Sequence, residues 1–338
     1  MKRVFRNNGI NIMTFVTATA TLTKAFSTES AAAAAAAAAT ISNHNIQLPT
    51  TTMPIKIKVI PNDKLYESEP NPRYFGNPIN PGFDPAWTNT NWLKSRFHFN
   101  FAEYHSGNNV NFGVMRVLND DLVQPKRGFG EHPHRDMEII TYIVNGKLTH
   151  DDSTGSVETL GRGSIQFMTA GTGISHSEFN HGDEPLRFVQ VWIDPRNRGL
   201  PANYGSYDAS TADADATKNK LRHLASDVAN GVATTPVKLN QDVDCFTAEL
   251  EEGKSLSIDI PVGRQAYLLC VEGSLELNGR KTLERHDAAE IVGGDRPLKI
   301  QSTKVEETEN GQVSHLLMFV MKEVPGSGRK DIACTVCS

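Results

Sequence analysis

Two short motifs in this chain combine metal-binding side chains at a regular spacing. His132 and His134 are two residues apart, and His176 and Glu178 repeat that spacing further along. In a β-strand, residues i and i+2 lie on the same face. If two such strands face each other, three imidazoles and one carboxylate meet at one point. Three nitrogen donors and one oxygen donor suit a first-row transition metal and leave positions for exogenous ligands. The spacing therefore predicts a metalloprotein and an enzyme.

The bulk composition excludes several classes of function. The chain has 338 residues, which suggests about two domains. Hydrophobic residues make up 38% of it, enough for a normal core, and the formal net charge is −5. Without a basic excess there is no electrostatic footprint for nucleic acid or for an anionic membrane. No apolar run reaches the roughly 18 residues that a membrane span needs. We therefore expect no direct nucleic-acid binding and no membrane contact.

Residues 1–50 differ in composition from the rest of the chain. Only basic residues carry charge before the first acid, Glu29, hydroxyl residues are abundant, and residues 31–39 are all alanine. Such an acid-poor, basic leader is typical of an organelle transit peptide. It predicts a mitochondrial or other organelle location. The alternative is a disordered extension on a protein of the cytoplasm or nucleus, and in both cases we exclude these residues from the fold.

The elements that would position the two motifs are strands. Short apolar runs at 110–117, 137–144, 164–169 and 187–193 are separated by turn residues, a pattern typical of a sandwich or barrel. The composition changes after residue 195, and a second β-rich region follows. We predict a leader at 1–50, an N-terminal domain at 51–195, a connection at 196–235 with one short helix at 219–229, a C-terminal domain at 236–325 and a tail at 326–338.

The C-terminal domain is predicted to be a degenerate copy of the first. Aligning Gly146 with Gly273 places Asp259 and Pro261 at the positions of the first histidine pair. Neither residue repeats the imidazole ligands of the first copy. We therefore expect a metal in the N-terminal domain only.

The motifs resemble those of the cupins, and more closely those of the pirin branch of that superfamily. The cupin pattern is matched at His132, His134, Glu138 and Gly146, and again at Gly163, Gly171, His176 and Asn180. Residues 128–138 and 168–178 are similar to pirin signatures, and the resemblance extends more loosely over 52–325. It implies an all-β bicupin in which two jelly-roll β-barrel domains pack together.

The fourth ligand has two candidates. Glu138 is an even number of residues from His132 and His134, and Glu178 is two residues from His176, so in a continuous strand each would point to the same face as those histidines. The resemblance to pirins favours Glu178, with His132, His134 and His176 as the other ligands. Glu138 then becomes a residue that orients an imidazole through its free N–H. The resemblance implies Fe(II), and Mn, Co, Ni, Cu or Zn would also accept these ligands.

The resemblance also implies an activity. Pirins are similar to quercetin 2,3-dioxygenases, which suggests cleavage of a flavonol or related phenolic substrate by dioxygen, with Glu178 as a general base. The alternative is an iron-binding, redox-sensing cofactor that contacts a protein partner in transcription and has little or no catalysis. We expect a monomer in either case.

Further predictions concern residues outside the four candidate ligands. Arg135 and Asp136 are expected to pair with each other, and His150, before a hairpin turn, is expected to be structural rather than catalytic. Cys334 and Cys337 lack the second pair that a zinc site needs, so we expect a disordered tail. Lone histidines at 98 and 105 are expected in the core or at the surface. The pocket wall or barrel core around the metal is expected to contain Phe129, Met137, Phe167, Met168 and Trp192.

Overall fold

A computed structural model describes residues 52–78, 91–107, 109–211 and 218–329. The predicted leader and the Cys334–Cys337 pair lie outside these residues. The described chain is built from strands and a few short 3₁₀ turns, so the all-β prediction is confirmed. No helix in these ranges is long and apolar enough to cross a membrane.

The strands of the first half precede residue 208. They are β1 (Lys56–Ile60), β2 (Tyr66–Ser68), β3 (Leu93–Phe97), β4 (Met115–Val123), β5 (Arg127–His134), β6 (Glu138–Asn145), β7 (Leu148–Asp152), β8 (Val157–Leu160), β9 (Ile165–Thr169), β10 (Ile174–Asn180), β11 (Leu186–Ile193) and β12 (Asn203–Tyr207). The 3₁₀ turns are Asn62–Lys64, Pro72–Phe75 and Ala209–Thr211.

The strands of the second half follow residue 221. They are β13 (Arg222–Asp227), β14 (Val237–Leu239), β15 (Val243–Leu250), β16 (Ser255–Ile258), β17 (Arg264–Glu272), β18 (Ser274–Leu277), β19 (Lys281–Glu284), β20 (Ala288–Val292), β21 (Leu298–Lys304), β22 (Glu306–Thr308) and β23 (Gly311–Lys322).

The first barrel is formed by two sheets. A seven-stranded sheet has the order β12-β9-β6-β11-β4-β3-β2, and a four-stranded sheet has the order β5-β10-β7-β8. Between them lies a buried apolar cluster that includes Trp92, Ile143, Leu148 and Phe188. Both predicted metal-binding motifs are in the four-stranded sheet, on β5 and β10.

The second barrel repeats this arrangement. Its eight-stranded sheet has the order β1-β20-β17-β23-β15-β13-β14, with β22 paired to β23, and its four-stranded sheet has the order β16-β21-β18-β19. Apolar side chains such as Leu268, Leu283 and Ile300 fill the space between these sheets. The two large sheets of the barrels also share one buried cluster, which contains Ile140 and Phe319.

Buried ion pairs accompany this apolar contact between the barrels. Arg162 Nη2 lies 2.7 Å from Glu249 Oε1 and 2.6 Å from Glu272 Oε2. Arg187 Nη2 lies 2.7 Å from Asp120 Oδ2 in the first barrel. Each of these buried charges therefore has a partner, as burial requires. The large sheet that supports the site is held by charge pairs as well as by apolar packing.

Strand pairing crosses the predicted domain limits of 51–195 and 236–325. Lys56–Ile60 pairs with β20 of the second barrel, and Asn203–Tyr207 extends the large sheet of the first barrel by pairing with β9. The predicted helix at 219–229 is wrong. Arg222–Asp227 is a strand that pairs with β15, where the large sheet offers backbone hydrogen-bond partners and buries Leu224.

Candidate metal centre

Three imidazoles come together on one face of the four-stranded sheet. β5 and β10 pair antiparallel, with His176 opposite His132 and Ile174 opposite His134. One ligand nitrogen from each of the three histidines lies within 4.8 Å of the other two. The two strands are neighbours in one sheet. The sequence-based picture of two strands facing each other is therefore wrong, although the spacing does place the side chains together.

Two of the three histidines have a buried ring nitrogen without a protein partner in the described chain. His134 Nε2 and His176 Nε2 are buried without a hydrogen bond. His132 uses Nδ1 to contact the Gly130 carbonyl at 2.8 Å, which leaves its Nε2 free. Buried nitrogen atoms without a partner are costly and rare in folded proteins. The donor set therefore fits a bound metal ion.

The electrostatics of the cluster also suit a metal. Burial and the neighbouring imidazoles lower the pKa of His134 and of His176 to about 3. Both rings are therefore neutral near pH 7, and a neutral imidazole is the form that binds a metal. His132 and His134 are only half-buried, so the cluster is accessible from the β5 side.

Glu178 lies beside this cluster rather than within its tightest part. It is buried on the same face of β10 as His176, and its carboxylate lies within 4.8 Å of ligand atoms of His176 and His150. The three-histidine group at that distance does not include it. A bulge between the pairs His176–His132 and Glu178–Phe129 shifts the register of β5 at this point. Such bulges re-aim side chains.

Three donors from the seven-stranded sheet hold the Glu178 carboxylate. Oε1 accepts hydrogen bonds from Thr141 Oγ1 at 3.2 Å and from Gln166 Nε2 at 2.9 Å. Oε2 accepts one from Gln190 Nε2 at 2.7 Å. Trp192 Nε1 donates to Gln190 Oε1 at 3.0 Å and so fixes which way that amide points. The carboxylate is thus oriented by a network that reaches the rim of the site.

His150 contacts His176 through the Nδ1 atoms of the two rings. Its Nδ1 is 3.3 Å from His176 Nδ1, and its Nε2 is 2.9 Å from Asp152 Oδ2. The ring also stacks on Tyr204, with centroids 4.3 Å apart. These contacts place His150 next to a candidate ligand, and its structural role stays a prediction.

Glu138 does not orient an imidazole, and that prediction is wrong. Its carboxylate accepts hydrogen bonds from Thr169 Oγ1 and from the backbone N–H of Asn240, both at 3.1 Å. A turn after His134 starts a new strand in the other sheet, so strand parity does not carry over. Glu138 joins the two halves of the protein, and burial raises its pKa.

Arg135 and Asp136 do not form an ion pair among the described contacts. Asp136 has a φ of 50° in the turn between β5 and β6. Its Oδ1 accepts a hydrogen bond from the Gly199 N–H at 2.7 Å. The pairing predicted from the sequence is therefore replaced by a contact that fixes the turn after the histidines. His98 is buried and His105 is exposed.

Aromatic rings flank the histidines on two sides. The Trp192 ring meets His134 edge-on, with centroids 4.8 Å apart, and Phe129 lies 6.5 Å from His132. Met137 and Met168 pack in the same small cluster as Trp192. Phe167 belongs instead to the cluster shared by the two barrels.

Sequence reasoning missed the residues that hold Glu178 and His176. Gln166 and Gln190 lie in mostly apolar strands, and Asp152 precedes a turn. A polar side chain inside a buried strand needs a buried partner. A glutamine within a mostly apolar strand therefore indicates a buried polar partner, and this pattern could have identified Gln166 and Gln190 from the sequence.

Comparison with known proteins identifies the family. The Pirin family profile matches residues 83–193, and a profile described as the quercetinase C-terminal cupin domain matches residues 228–319. The chain is 38% identical over 200 residues to a pirin-like protein of Caulobacter vibrioides, covering 59% of this chain and 84% of the relative. The chain belongs to the pirin family.

Other pirin relatives confirm the fold. The chain is 36% identical over 194 residues to an Escherichia coli protein named quercetin 2,3-dioxygenase, covering 57% of this chain and 80% of the relative. The crystal structure of the bacterial pirin YhhW of E. coli in complex with nickel(II) has a TM-score of 0.62 at 27% identity, covering 79% of this chain and all of that chain. The predicted bicupin fold is confirmed. These relatives are bacterial and do not support the predicted organelle targeting.

Proposed function

We propose that this pirin-family protein is a metal-dependent dioxygenase that cleaves a flavonol, or a related phenolic or enol substrate, with dioxygen. The observation that carries the proposal is the convergence of imidazole nitrogens from His132, His134 and His176. In the described chain, Nε2 of His134 and Nε2 of His176 are buried without a hydrogen-bond partner. An E. coli relative is named quercetin 2,3-dioxygenase, and the bacterial pirin YhhW of E. coli was crystallised with nickel(II).

The three histidines would hold the metal, and Glu178 would supply the fourth protein ligand. Neutral imidazoles with one carboxylate suit Fe(II), which the resemblance to pirins favours, and Mn, Co, Ni, Cu and Zn also accept them. When bound, the metal would supply a Lewis acid for a phenolate oxygen and open positions for substrate and dioxygen. A monomeric protein would suffice, because all four ligands come from one chain.

We infer that Glu178 moves a proton. Its Oε1 already accepts two hydrogen bonds, whereas Oε2 accepts only the one from Gln190. A carboxylate oxygen has about two acceptor sites, so Oε2 keeps a lone pair. This lone pair would bind the metal, or, when the carboxylate is not bound to the metal, would accept the hydroxyl proton of the substrate as a general base.

The aromatic rim orients the substrate. Trp192 beside His134 and Phe129 beside His132 offer apolar ring edges and faces to a planar phenolic ring. Phe129 also packs on Trp92, with centroids 4.9 Å apart, which limits its movement. These rings would exclude water from one side of the bound substrate.

The test is metal analysis of natively purified protein followed by oxygen uptake with quercetin. We expect about one metal per chain, as one four-ligand site implies, and parallel loss of quercetin and dioxygen. His134→Ala should lose both metal and turnover. Normal turnover by metal-free His134→Ala, or no turnover by the metal-loaded wild type with any flavonol, would contradict the proposal.

The alternative of an iron-dependent redox sensor stays a prediction. It would show a partner affinity that differs between the Fe(II) and Fe(III) forms, together with feeble turnover. Measuring both quantities on the same metal-loaded protein separates the two functions.

A further inference from the structure

A chain of hydrogen-bonding groups continues behind His176. His176, His150 and Asp152 are all buried on β10 and β7. These strands pair with Asp152 opposite His176 and His150 opposite Glu178. The contacts run from His176 Nδ1 to His150 Nδ1 at 3.3 Å and from His150 Nε2 to Asp152 Oδ2 at 2.9 Å.

We propose that Asp152 and His150 are positioning residues that fix the tautomer of His176, so that its Nε2 lone pair faces the metal. The inference rests on the proposed metal centre and extends it to residues that touch neither metal nor substrate. Outer groups of this kind are known to orient metal-binding imidazoles.

The proton positions follow from the chemistry of the groups. A carboxylate can only accept a hydrogen bond, so His150 Nε2 must donate to Asp152. In a neutral ring, His150 Nδ1 then carries a lone pair. His176 Nδ1 faces that lone pair and must carry the proton. His176 Nε2 is left with its lone pair, and this is the buried atom that has no protein partner.

The orientation of Asp152 is fixed from the other side. Its Oδ1 accepts hydrogen bonds from the backbone N–H of Thr154 at 2.7 Å and of Ser156 at 3.3 Å. These donors belong to the hairpin turn after β7. The carboxylate therefore uses one oxygen for the turn and the other for His150.

The plane of the His150 ring is fixed by Tyr204. The two rings are stacked with an interplanar angle of 16°, and the Tyr204 hydroxyl donates to Glu158 Oε2 at 2.8 Å. The stack leaves the edge of His150, with its two nitrogens, facing His176 and Asp152. We call the hydrogen-bonded chain Asp152–His150–His176 the relay. Separate contacts thus fix its position, the plane of its central ring and its tautomer.

Asp152→Asn tests the relay because the turn dictates how the new amide lies. The backbone donors of Thr154 and Ser156 require an oxygen at the Oδ1 position, so the amide nitrogen must face His150. His150 Nε2 would then accept, His150 Nδ1 would donate, and the His176 proton would move to Nε2. That is the wrong tautomer for metal binding. Asp151→Asn is the matched control, since Asp151 is exposed on the same strand and loses the same charge.

The first measurement uses metal-free, full-length protein and the ¹⁵N chemical shifts of the imidazoles. We expect His176 protonated on Nδ1 in the wild type and in Asp151→Asn, and on Nε2 in Asp152→Asn. The second measurement is nickel(II) affinity, which should fall by about 10- to 100-fold in Asp152→Asn only. An unchanged tautomer and an unchanged nickel affinity in Asp152→Asn would overturn the proposal.

A second pair of variants keeps the test decisive if Asp152→Asn does not fold. His150→Phe keeps the ring stack on Tyr204 but removes both nitrogens, whereas His150→Gln offers an acceptor to His176 and a donor to Asp152. We expect nickel affinity to fall in His150→Phe and to be rescued in His150→Gln. Equal affinities in the two variants would refute the relay. Neither the ¹⁵N chemical shifts nor the nickel affinity depends on turnover. An inactive enzyme would therefore count against the proposed dioxygenase and not against the relay.

Discussion

His176 lies directly opposite His132 in the antiparallel pairing of β10 with β5, and their ring centroids are 4.5 Å apart. Side chains of directly opposed residues in a sheet point to the same face, so this register alone brings two imidazoles together. His134 joins them from two residues along β5. The candidate site is therefore a property of strand register and would be lost by a shift of one residue.

Glu178 and Glu138, the two candidates for the fourth ligand, should differ in their effect on metal affinity. Glu178→Gln should weaken nickel(II) binding by about 10-fold or more, because it removes the charge beside the histidines. Glu138→Gln should leave the affinity unchanged, since Glu138 contacts Asn240 and Thr169 instead. Isothermal titration of both variants checks this. A larger loss in Glu138→Gln would contradict the assignment.

Gln190 should matter for catalysis without contacting the metal. Gln190→Leu removes the donor to Glu178 Oε2 and leaves Trp192 Nε1 without its acceptor. We expect kcat/KM with quercetin to fall by about 10- to 100-fold. Gln312→Leu, at an exposed position of β23, is the control. Equal rates in the two variants would show that the network around Glu178 has no catalytic role.

Buried His98 should make the protein less stable in acid. Burial lowers its pKa from 6.5 to about 3, although the Asp120 charge acts in the opposite direction. Between these pH values the unfolded chain binds a proton that the folded chain does not, so the free energy of unfolding falls as pH drops. His98→Gln should reduce this slope in urea titrations at pH 4 to 7. His105→Gln, at an exposed position, should not.

Asp121 should have the opposite pH dependence. Burial raises its pKa to about 8, the Ser95 hydroxyl works against the rise, and the charges of Asp120 and Glu178 add to it. The folded chain then holds a proton that the unfolded chain releases, so stability is lost as pH rises from about 4 toward 8. Asp121→Asn should therefore raise the free energy of unfolding at pH 8 relative to pH 5. Asp151→Asn should show no such pH-dependent gain.

The local parts of the site could be predicted from the sequence. The two-residue period of a strand is enough to place His132 beside His134 and His176 beside Glu178. The relation between those pairs could not be predicted, because it depends on which strands become neighbours. Residues an even number of positions apart share a face only within one continuous strand. A turn separates Glu138 from His134, so Glu138 lies in another sheet and contacts Asn240.

Non-local pairing also explains the other differences. Lys56–Ile60 joins the second barrel although it precedes the first in the chain, and nothing in five residues encodes that choice. Arg222–Asp227 was too short for its periodicity to distinguish helix from strand. The structural role of His150 stays a prediction. Its partner Asp152 is two residues away on the same strand, whereas Tyr204 comes from β12, and the sequence does not show that β12 lies nearby.

Anomalous diffraction from crystals of natively purified protein tests the central claim most directly. Data collected at the absorption edge of the metal found in the sample should show one peak per chain, bounded by the Nε2 atoms of His132, His134 and His176. The peak should disappear in His176→Ala. A metal-containing crystal with no peak at these nitrogens, or with an undiminished peak in His176→Ala, would contradict the account.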